Sequence, residues 1–394
     1  MTGAPLSDVV VADFTHARAG PWCTELLGEL GAEVVKVERP GGGDPNRDGH
    51  PQQGGMGFEF ISRHRNKKSV VLDLKDEDGR QLAEDLIAES DVLVENFAPG
   101  VMDRLGLGYD YLAEEVNPGL IYASIKGYGE TGPFKDKKGV DLVMQAQGGI
   151  MSVTGPEGGP PVKVGQAIGD IGAGLYAVIG ILSALRHRET TGRGQKFETD
   201  LFGTIVSYME EYLTEYGITG EDPTPNGSRH QTHVPYELFE TADGYLAVFV
   251  PGSRWAMFVA EVLEDESLLE YDSGKARREH YDEVMAVMRP LLREHTTEEW
   301  VDRFDEIGIP CGPLNRVSDV VEHPHARARG NVIEYEHPEV GEVLARGFPL
   351  HFSESETVFE RAPPGLGEHT DELLDRLGVP DAERERLRED GVVE

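Results

Sequence analysis

The stretch DVVVADFTHARAGPWCTELLGELGAEVVKVE, residues 8–38, is typical of a strand, a helix and a second strand in immediate succession. Its first seven residues are apolar enough for a buried strand, and the predicted helix has Pro21 near its start and Gly31 at its end. The same alternation continues through SVVLDL, DEDGRQLAEDLIAES, DVLVEN and LIYASIKGY. Because such alternation packs as a parallel sheet with helices on both faces, the sequence predicts an α/β fold with a large, doubly wound, mostly parallel sheet.

The alternating pattern ends with a predicted helix over about 202–216, and a segment rich in glycine, proline and threonine follows. YELFETADGYLAVFV then predicts a β-hairpin that turns at Asp243 and Gly244, before further helices, short strands and a last helix, TDELLDRLG. We therefore expect a large α/β domain over 1–216, a linker over 217–235, a small α+β domain over 236–325, and a linker that returns to the large domain over 326–394.

The composition of the chain is strongly acidic. Its 394 residues include 72 acidic and 37 basic side chains, for a formal net charge of −35. Such self-repulsion weakens the compact state unless salt screens it, so we expect a salt-rich cytoplasm, as in a halophile. Neither nucleic acid nor an anionic membrane surface is an expected partner.

The two cysteines, Cys23 and Cys311, suggest neither a disulfide framework nor a metal site. The N-terminal sequence MTGAPLSDVVVADF lacks the features of a secretory signal, which agrees with a cytoplasmic protein.

The basic residues are concentrated in the first half of the chain, where ten of the eleven lysines lie. Local clusters occur in RHRNKKS (63–69), KDKK (135–138) and RHRETTGRGQK (186–196). Ligands of open α/β sheets gather at the carboxyl ends of the strands. The clusters can equally be solvated loops that balance nearby acids, but an anionic, phosphorylated ligand is favoured by the basic or polar residues that follow successive predicted strands: Arg18, Arg39, Lys75, Asn96 and Lys126.

The stretch GQAIGDIGAGLYAVIGILSAL (165–185) predicts a buried core helix with a single acid, Asp170, before it. Its 15 uncharged residues, 171–185, are fewer than the roughly 20 that a membrane span needs. Apolar residues recur at helical spacing, which predicts that they pack into the core: Leu175, Val178, Ile179, Leu182 and Leu185.

Three interpretations of Asp170 compete. An aspartate at or just before the N-cap position commonly accepts a backbone N–H. It can instead be a nucleophile, because glycines at 165, 169, 172 and 174 would let a ligand approach the backbone and a helix N-terminus favours an ionised carboxylate. The third interpretation, a dinucleotide fingerprint in GAGLYA, is disfavoured because glycines interrupt the preceding strand and Asp170 would face the pyrophosphate.

Several segments together resemble the class III CoA-transferases, the group that includes formyl-CoA transferase and carnitine CoA-transferase. The resemblance covers nearly the whole chain and is carried by DFTHARAGPWCTELLGELGAEVVKVERPGGGDPNR (13–47), NKKSVVLDLK (66–75), DVLVENFAPGVMDRLGL (91–107), GDIGAG (169–174), ALRHRETTGRGQ (184–195) and IPCGP (309–313). It implies that Asp170 is the catalytic carboxylate and that CoA is a substrate, with no permanently bound cofactor. It also implies a homodimer in which two ring-like chains interlock.

The resemblance extends to individual residues. By motif, it implies that the nucleotide and pantetheine of CoA contact Ala17, Arg39, Leu72, Lys75, Asn96, Phe97, Arg104 and Lys138. Arg18 stands where formyl-CoA transferase has a glutamine, and a guanidinium there can bind the second carboxylate of a dicarboxylic acid. Asp141 is a candidate substrate contact; the residue before it, Val140, stands where the family has a tyrosine. Further candidates are Gly227, Arg229 and His230, in the segment NGSRHQTHVPY (226–236) that stands in place of the family's glycine-rich loop.

The related α-methylacyl-CoA racemases offer an alternative reaction, in which a histidine in a GHD-like motif moves a proton together with the aspartate. This chain has GVD at 139–141, and valine cannot exchange a proton. CoA transfer is therefore the favoured reaction. Arg18 and the salt-adapted composition favour succinyl-CoA as the donor and a dicarboxylate such as mesaconate, malate or citramalate as the acceptor.

Overall fold

The computed structural model describes residues 3–394. Its β-strands are β1 (Val10–Phe14), β2 (Glu33–Glu38), β3 (Gln52–Gln53), β4 (Met56–Gly57), β5 (Lys67–Val71), β6 (Val92–Glu95), β7 (Ile121–Lys126), β8 (Gln195–Asp200), β9 (Tyr236–Glu240), β10 (Tyr245–Phe249), β11 (Cys311–Pro313), β12 (Val332–His337) and β13 (Gly341–Arg346). Its α-helices are α1 (Ala19–Glu29), α2 (Phe58–Ile61), α3 (Glu77–Ala88), α4 (Val101–Arg104), α5 (Tyr109–Tyr111), α6 (Asp141–Gln147), α7 (Ile168–Thr191), α8 (Leu201–Ser207), α9 (Glu210–Thr219), α10 (Trp255–Phe258), α11 (Gly274–Glu279), α12 (Tyr281–Leu292), α13 (Thr297–Glu306), α14 (Val317–Glu322), α15 (Pro324–Ala328), α16 (Thr370–Arg376) and α17 (Asp381–Glu389).

Six strands form one parallel sheet in the order β5-β2-β1-β6-β7-β8. Successive residues of β1 point to opposite faces. Val11 packs with α1 and α7, whereas Ala12 and Phe14 pack on the other face with α3 and α16. A strand covered on both faces is apolar at nearly every position, as β1 is apart from Asp13. The predicted doubly wound α/β architecture is confirmed.

The chain divides into two compact units. One contains the large sheet and comprises the chain up to Ile150, Lys163–Gly220 and Arg327–Glu394; the other comprises Met151–Val162 and Glu221–Ala326. In the second unit, β9 and β10 form the hairpin that the sequence predicts, with Leu246 opposite Phe239, and β11 pairs with β10. Aromatic side chains fill its core: Trp255, Phe258, Trp300 and Phe304.

Helix α7 differs from the fully buried helix that the sequence predicts. Val178 is buried and Leu185 packs on the core, but Leu175, Ile179 and Leu182 are exposed, with 58% of Ile179 accessible. Within residues 3–394, α7 is covered on the face toward α1, α6, α8 and the sheet, although apolar residues surround the helix. At 24 residues, α7 has the length and apolar composition of a membrane span, but one such helix is weak evidence for a membrane.

Two further elements differ from the sequence prediction. The helix expected over 202–216 is divided into α8 and α9. Helix α17 follows the predicted last helix, TDELLDRLG, and its sequence is almost entirely charged, with Leu387 as its buried residue. Because hydrophobic periodicity is the main signal of a helix, α17 gives almost none.

Candidate active site

Asp170 is the third residue of α7 and is partly buried. The N-cap residue is Ala167, so the prediction that Asp170 lies at or before the N-cap position is wrong. The carboxylate nevertheless lies in the first turn, where the partial positive charge of the helix N-terminus favours an anion.

Asp141, the first residue of α6, supplies the cap that Asp170 does not. Its Oδ1 accepts a hydrogen bond from the backbone amide of Gly169 at 2.8 Å, and its Oδ2 accepts one from Nε2 of Gln145 at 2.7 Å. The buried Gln145 also accepts a hydrogen bond from the Val164 amide at 2.9 Å. The first turn of α7 is thereby fixed to α6. Val140, immediately before Asp141, is exposed and carries no group that can exchange a proton.

Burial raises the pKa of Asp170 to about 6, and the charge of Asp141 acts in the same direction. The guanidinium groups of Arg18 and Arg63 oppose this increase. The helix N-terminus alone would lower the pKa of Asp170. Burial and the charge of Asp141 outweigh this effect, so the pKa is raised instead. At pH 7 the carboxyl is still mostly ionised, the form that can attack an acyl carbon.

Two of the glycines around Asp170 allow helices to pack closely. A Cβ on Gly174 would lie 2.7 Å from the carbonyl oxygen of Ala19, and one on Gly172 would lie 1.9 Å from the hydroxyl of Tyr208. The expectation that these two glycines admit a ligand is therefore wrong. Because positions 170 and 174 share a helix face, Asp170 lies on the face that packs toward the start of α1, where Arg18 is the N-cap residue.

Arg18 does not stand alone beside Asp170. Its Nη2 donates to Oε1 of Glu59 at 3.2 Å, and Nη2 of Arg63 donates to the same oxygen at 3.0 Å. Arg63 also donates to the carbonyl oxygen of Ala17 at 3.3 Å, where the backbone has a left-handed φ of 63°. In the sequence, Arg63 is only one member of the basic cluster 63–69, and no motif indicates a role for Glu59.

A cleft of about 370 Å³ at the carboxyl ends of the strands contains four of the eight residues expected to contact CoA: Arg39, Leu72, Lys75 and Phe97. The cleft is also lined by His16, whose ring stacks on Phe97 at a centroid distance of 5.4 Å. His16 was not predicted, although it lies in the quoted segment DFTHARAG. Since His16 lines the cleft and Arg18 lies beside Asp170, residues 16–18 connect the cleft to the candidate nucleophile.

The other expected CoA contacts have different surroundings. Asn96 uses its side-chain oxygen and nitrogen to bind the backbone of His16, at 2.9 and 2.8 Å. Ala17, Arg104 and Lys138 are exposed and do not line this cleft. Lys126, predicted on the same rim, is buried and bonded to both oxygens of Glu95 at 2.7 Å, as a buried ammonium group requires.

The remaining candidate substrate contacts lie in the smaller unit. The ring of His230 stacks on Tyr236 at 4.8 Å, and Arg229 pairs with Glu157 at 3.5 Å. Gly227 has a left-handed φ of 69°. Their role as substrate contacts stays a prediction.

Comparison with known proteins gives one consistent result. Residues 6–370 match the family described as CoA-transferase family III. Succinyl-CoA:glutarate CoA-transferase of Homo sapiens is 37% identical over 374 residues, which cover 94% of this chain and 85% of the human protein. Succinyl-CoA:mesaconate CoA-transferase of Haloarcula marismortui is 36% identical over 386 residues, 95% of this chain and 96% of that protein.

The fold is likewise similar to a solved structure. A CAIB/BAIF family protein from Brucella suis superimposes with a TM-score of 0.84 at 33% sequence identity, covering 95% of this chain and 100% of that chain.

Proposed function

The chain belongs to CoA-transferase family III and is an enzyme that transfers CoA, and we propose that it moves CoA from succinyl-CoA to a dicarboxylic acid such as mesaconate, with Asp170 as the nucleophile. The observation that carries this proposal is the partly buried, ionisable carboxylate of Asp170, next to Arg18 and Arg63 and connected by residues 16–18 to the cleft. Malate and citramalate are further acceptors of the same chemistry.

The proposed reaction begins when a carboxylate oxygen of Asp170 attacks the thioester carbon of the donor. The carbon–sulfur bond breaks, which leaves a mixed anhydride on Asp170 and CoA thiolate. The thiolate attacks the aspartyl carbonyl carbon, forms an aspartyl-CoA thioester and releases the donor acid as its carboxylate. The acceptor carboxylate then attacks that thioester, and the released thiolate attacks the acceptor acyl carbon, which restores the Asp170 carboxylate. Exchange between activated acyl groups divides one difficult transfer into easier steps.

The cleft is suited to the two parts of CoA. Arg39 and Lys75 bring positive charge to a surface that is otherwise strongly acidic, as phosphate groups require. Leu72 and Phe97 supply apolar surface for the adenine or pantetheine. These surroundings support CoA binding in the cleft and agree with the roles that the sequence predicts for these four residues.

A dicarboxylate substrate is supported by Arg18 and by the names of the relatives. The transferases of Homo sapiens and Haloarcula marismortui both carry succinyl-CoA in their names, together with glutarate and mesaconate respectively. In this chain Arg18 places a guanidinium beside Asp170, where the second carboxylate of such an acid would be neutralised.

The proposed enzyme works as an interlocked homodimer in a salt-rich cytoplasm. The dimer is supported by apolar side chains that α7 and α9 leave exposed, namely Leu175, Tyr176, Ile179, Leu182, Leu213, Tyr216 and Ile218. The net charge of −35 supports a medium in which salt screens the repulsion between acidic side chains.

The test of this function combines turnover with capture of the intermediate. A matrix of donors (succinyl-CoA, butyryl-CoA and acetyl-CoA) against acceptors (mesaconate, malate and citramalate) is assayed in concentrated KCl. Without acceptor, succinyl-CoA should leave CoA covalently attached to the protein by intact-mass analysis, and hydroxylamine should remove it. Asp170→Asn should abolish the adduct and lower turnover by roughly three orders of magnitude or more.

Asp91→Asn is the matched control, because Asp91 is a partly exposed aspartate whose ion-pair partner is Arg188, at the other end of α7. It should still form the adduct. Undiminished turnover by Asp170→Asn would overturn the proposed function, and so would loss of an α-deuteron from the acyl group without any exchange of acids.

A further inference from the structure

Two arginines share a single carboxylate oxygen beside the nucleophile. Nη2 of Arg18 and Nη2 of Arg63 lie 3.2 and 3.0 Å from Oε1 of Glu59. The side chains of Arg18, Arg63 and Glu59 are 25%, 8% and 30% exposed, so the group is largely withdrawn from water but open on one side. Two guanidinium groups this close repel each other, and a carboxylate between them offsets the repulsion.

Glu59 is held in its ionised form there. Although burial acts to raise the pKa of Glu59, the hydrogen bonds and charges of Arg63 and then Arg18 hold it below its usual value. One carboxylate therefore faces two cations. Among residues 3–394, Arg18 has a hydrogen bond only through Nη2, which leaves other N–H donors of its fork for a second carboxylate.

Arg63 also holds the backbone that carries Arg18. Its Nη1 donates to the carbonyl oxygen of Ala17, and Nδ2 of Asn46 donates to the same oxygen at 2.5 Å. Ala17 has a left-handed φ of 63°, a conformation that an alanine adopts only under such constraint. The two guanidinium groups are thus fixed relative to each other before any ligand binds.

We propose that Arg18 and Arg63 together bind the distal carboxylate of a dicarboxylic substrate, and that Glu59 occupies this position as an internal carboxylate in the empty enzyme. This inference rests on the proposed function for the identity of the substrate. A monocarboxylic acid has a single carboxylate, so when that group lies against Asp170 for transfer it presents no charge to the pair and does not replace Glu59. Because Glu59 is partly exposed, its move into solvent costs little, whereas an uncompensated Arg63 would be costly.

The site thereby selects against monocarboxylic acids as well as for dicarboxylic ones. When a dicarboxylate is absent, the carboxylate of Glu59 pairs with both arginines. An acid of similar length with an apolar end cannot compete for these ion pairs. It must either bind elsewhere or bury its methyl group beside charged side chains. Selection between dicarboxylic and monocarboxylic acids therefore depends on Arg63 and Glu59 as well as on Arg18.

The test is equilibrium binding of succinate and butyrate, two four-carbon acids that differ in the distal carboxylate, measured by calorimetry on the full chain. Arg63→Met and Arg18→Gln should each weaken succinate binding about tenfold or more, and weaken butyrate binding far less. Glu59→Gln should tighten succinate binding, by about threefold, because the internal competitor loses its charge. Arg188→Met is the control, since Arg188 forms a comparable ion pair with Asp91 at the far end of α7.

Three results would overturn the proposal: an Arg63→Met variant that binds succinate within twofold of the unsubstituted enzyme, equal weakening of succinate and butyrate, or weaker succinate binding after Glu59→Gln. If Arg63→Met does not fold, Arg63→Lys replaces it, since a lysine keeps one charge but loses the planar fork and should still weaken succinate binding. Because binding is measured without turnover, a failure here is separate from a failure of Asp170 as the nucleophile.

Discussion

The carboxylate of Asp141 accepts a hydrogen bond from the backbone amide of Gly169, the residue immediately before Asp170. One side chain therefore both fixes the first turn of α7 and places a negative charge beside the candidate nucleophile. These two effects can be separated, because an asparagine at position 141 keeps an oxygen for the Gly169 amide but removes the charge.

The acid limb of the pH–activity profile should report the ionisation of Asp170. Turnover should fall as the pH decreases through about 6, because the protonated carboxyl is not a nucleophile. Asp141→Asn should shift this limb to lower pH, by up to about one unit, since it removes the like charge and leaves Arg18 and Arg63 in place. The measurement is kcat/KM for the donor between pH 4.5 and 8, with Asp91→Asn as the control. An acid limb that does not move would show that Asp141 does not act through charge.

Replacement of Asp170 should stabilise the protein at neutral pH. The pKa of Asp170 in the folded state is raised above its usual value to about 6, so the folded state holds this proton more tightly than the unfolded state does. The stability that this gives is lost as the pH rises toward and through about 6. Asp170→Asn should therefore increase the free energy of unfolding at pH 7 by roughly 1–3 kcal/mol, with little difference near pH 4. Urea unfolding at both pH values measures this. A variant less stable at pH 7 would contradict the assigned environment.

The contact of α7 with α1 should tolerate no side chain at position 174. Gly174→Ala would put a Cβ 2.7 Å from the Ala19 carbonyl oxygen, so the start of α1 must shift. We expect a loss of about 1–3 kcal/mol in unfolding free energy and a fall in kcat/KM, because Arg18 moves with Ala19. Gly274→Ala is the matched control: Gly274 lies in α11 of the smaller unit, the nearest neighbouring side-chain atom to its added Cβ would be Nη1 of Arg278 at 3.7 Å, and the change should be neutral or stabilising. Equal behaviour of the two variants would contradict the packing argument.

Salt should stabilise the chain. Because 72 acidic side chains outnumber 37 basic ones, we expect repulsion among the excess acids to outweigh the attraction within individual ion pairs. Raising KCl from about 0.1 M to about 1 M shortens the Debye length from ~10 Å to ~3 Å, so the urea midpoint should rise over this range and NaCl should act alike. A midpoint that is unchanged or lower at 1 M KCl would contradict the expected adaptation to salt.

The exposed face of α7 should be covered in solution by a second copy. The chain has a mass of 43.3 kDa, and sedimentation equilibrium should give twice this value. Ile179→Glu should prevent the dimer, because it places a charge within an apolar face, whereas Leu269→Glu, in the smaller unit, should not. A monomeric mass for the unsubstituted chain across the concentration range would refute the dimer.

The strands of the large sheet could be predicted because a strand covered on both faces is a short run of apolar residues. Strand β1 is covered on both faces, so each of its positions is apolar apart from Asp13, whose carboxylate pairs with the buried Lys67. The exposure of Ile179 could not be predicted in the same way, because apolar residues surround α7 and periodicity cannot indicate which face has a partner.

The candidate site could be predicted only in part, for a different reason. Asp170 could be noticed as the single acid in a long apolar stretch, but its catalytic role was predicted from the resemblance to class III CoA-transferases. The partners Arg63 and Glu59 come from α2 and the turn after it, more than a hundred residues earlier, and only the tertiary fold brings their charges to Asp170. Asn96 was predicted as a nucleotide contact, and its bonds to the His16 backbone depend on the pairing of β1 with β6.

The end of β1 fixes the separation between the coenzyme and the acid. His16 lines the cleft and the charge of Arg18 acts on Asp170, with the constrained Ala17 as the single residue between them. In the proposed reaction, the cleft that binds the coenzyme and the guanidinium that binds the carboxylic substrate are therefore separated only by the backbone on each side of Ala17, while the sulfur and the acyl carbon meet at Asp170. Inserting a residue here would lengthen that gap, and the preferred carbon-chain length of the exchanged acids would be expected to change with it.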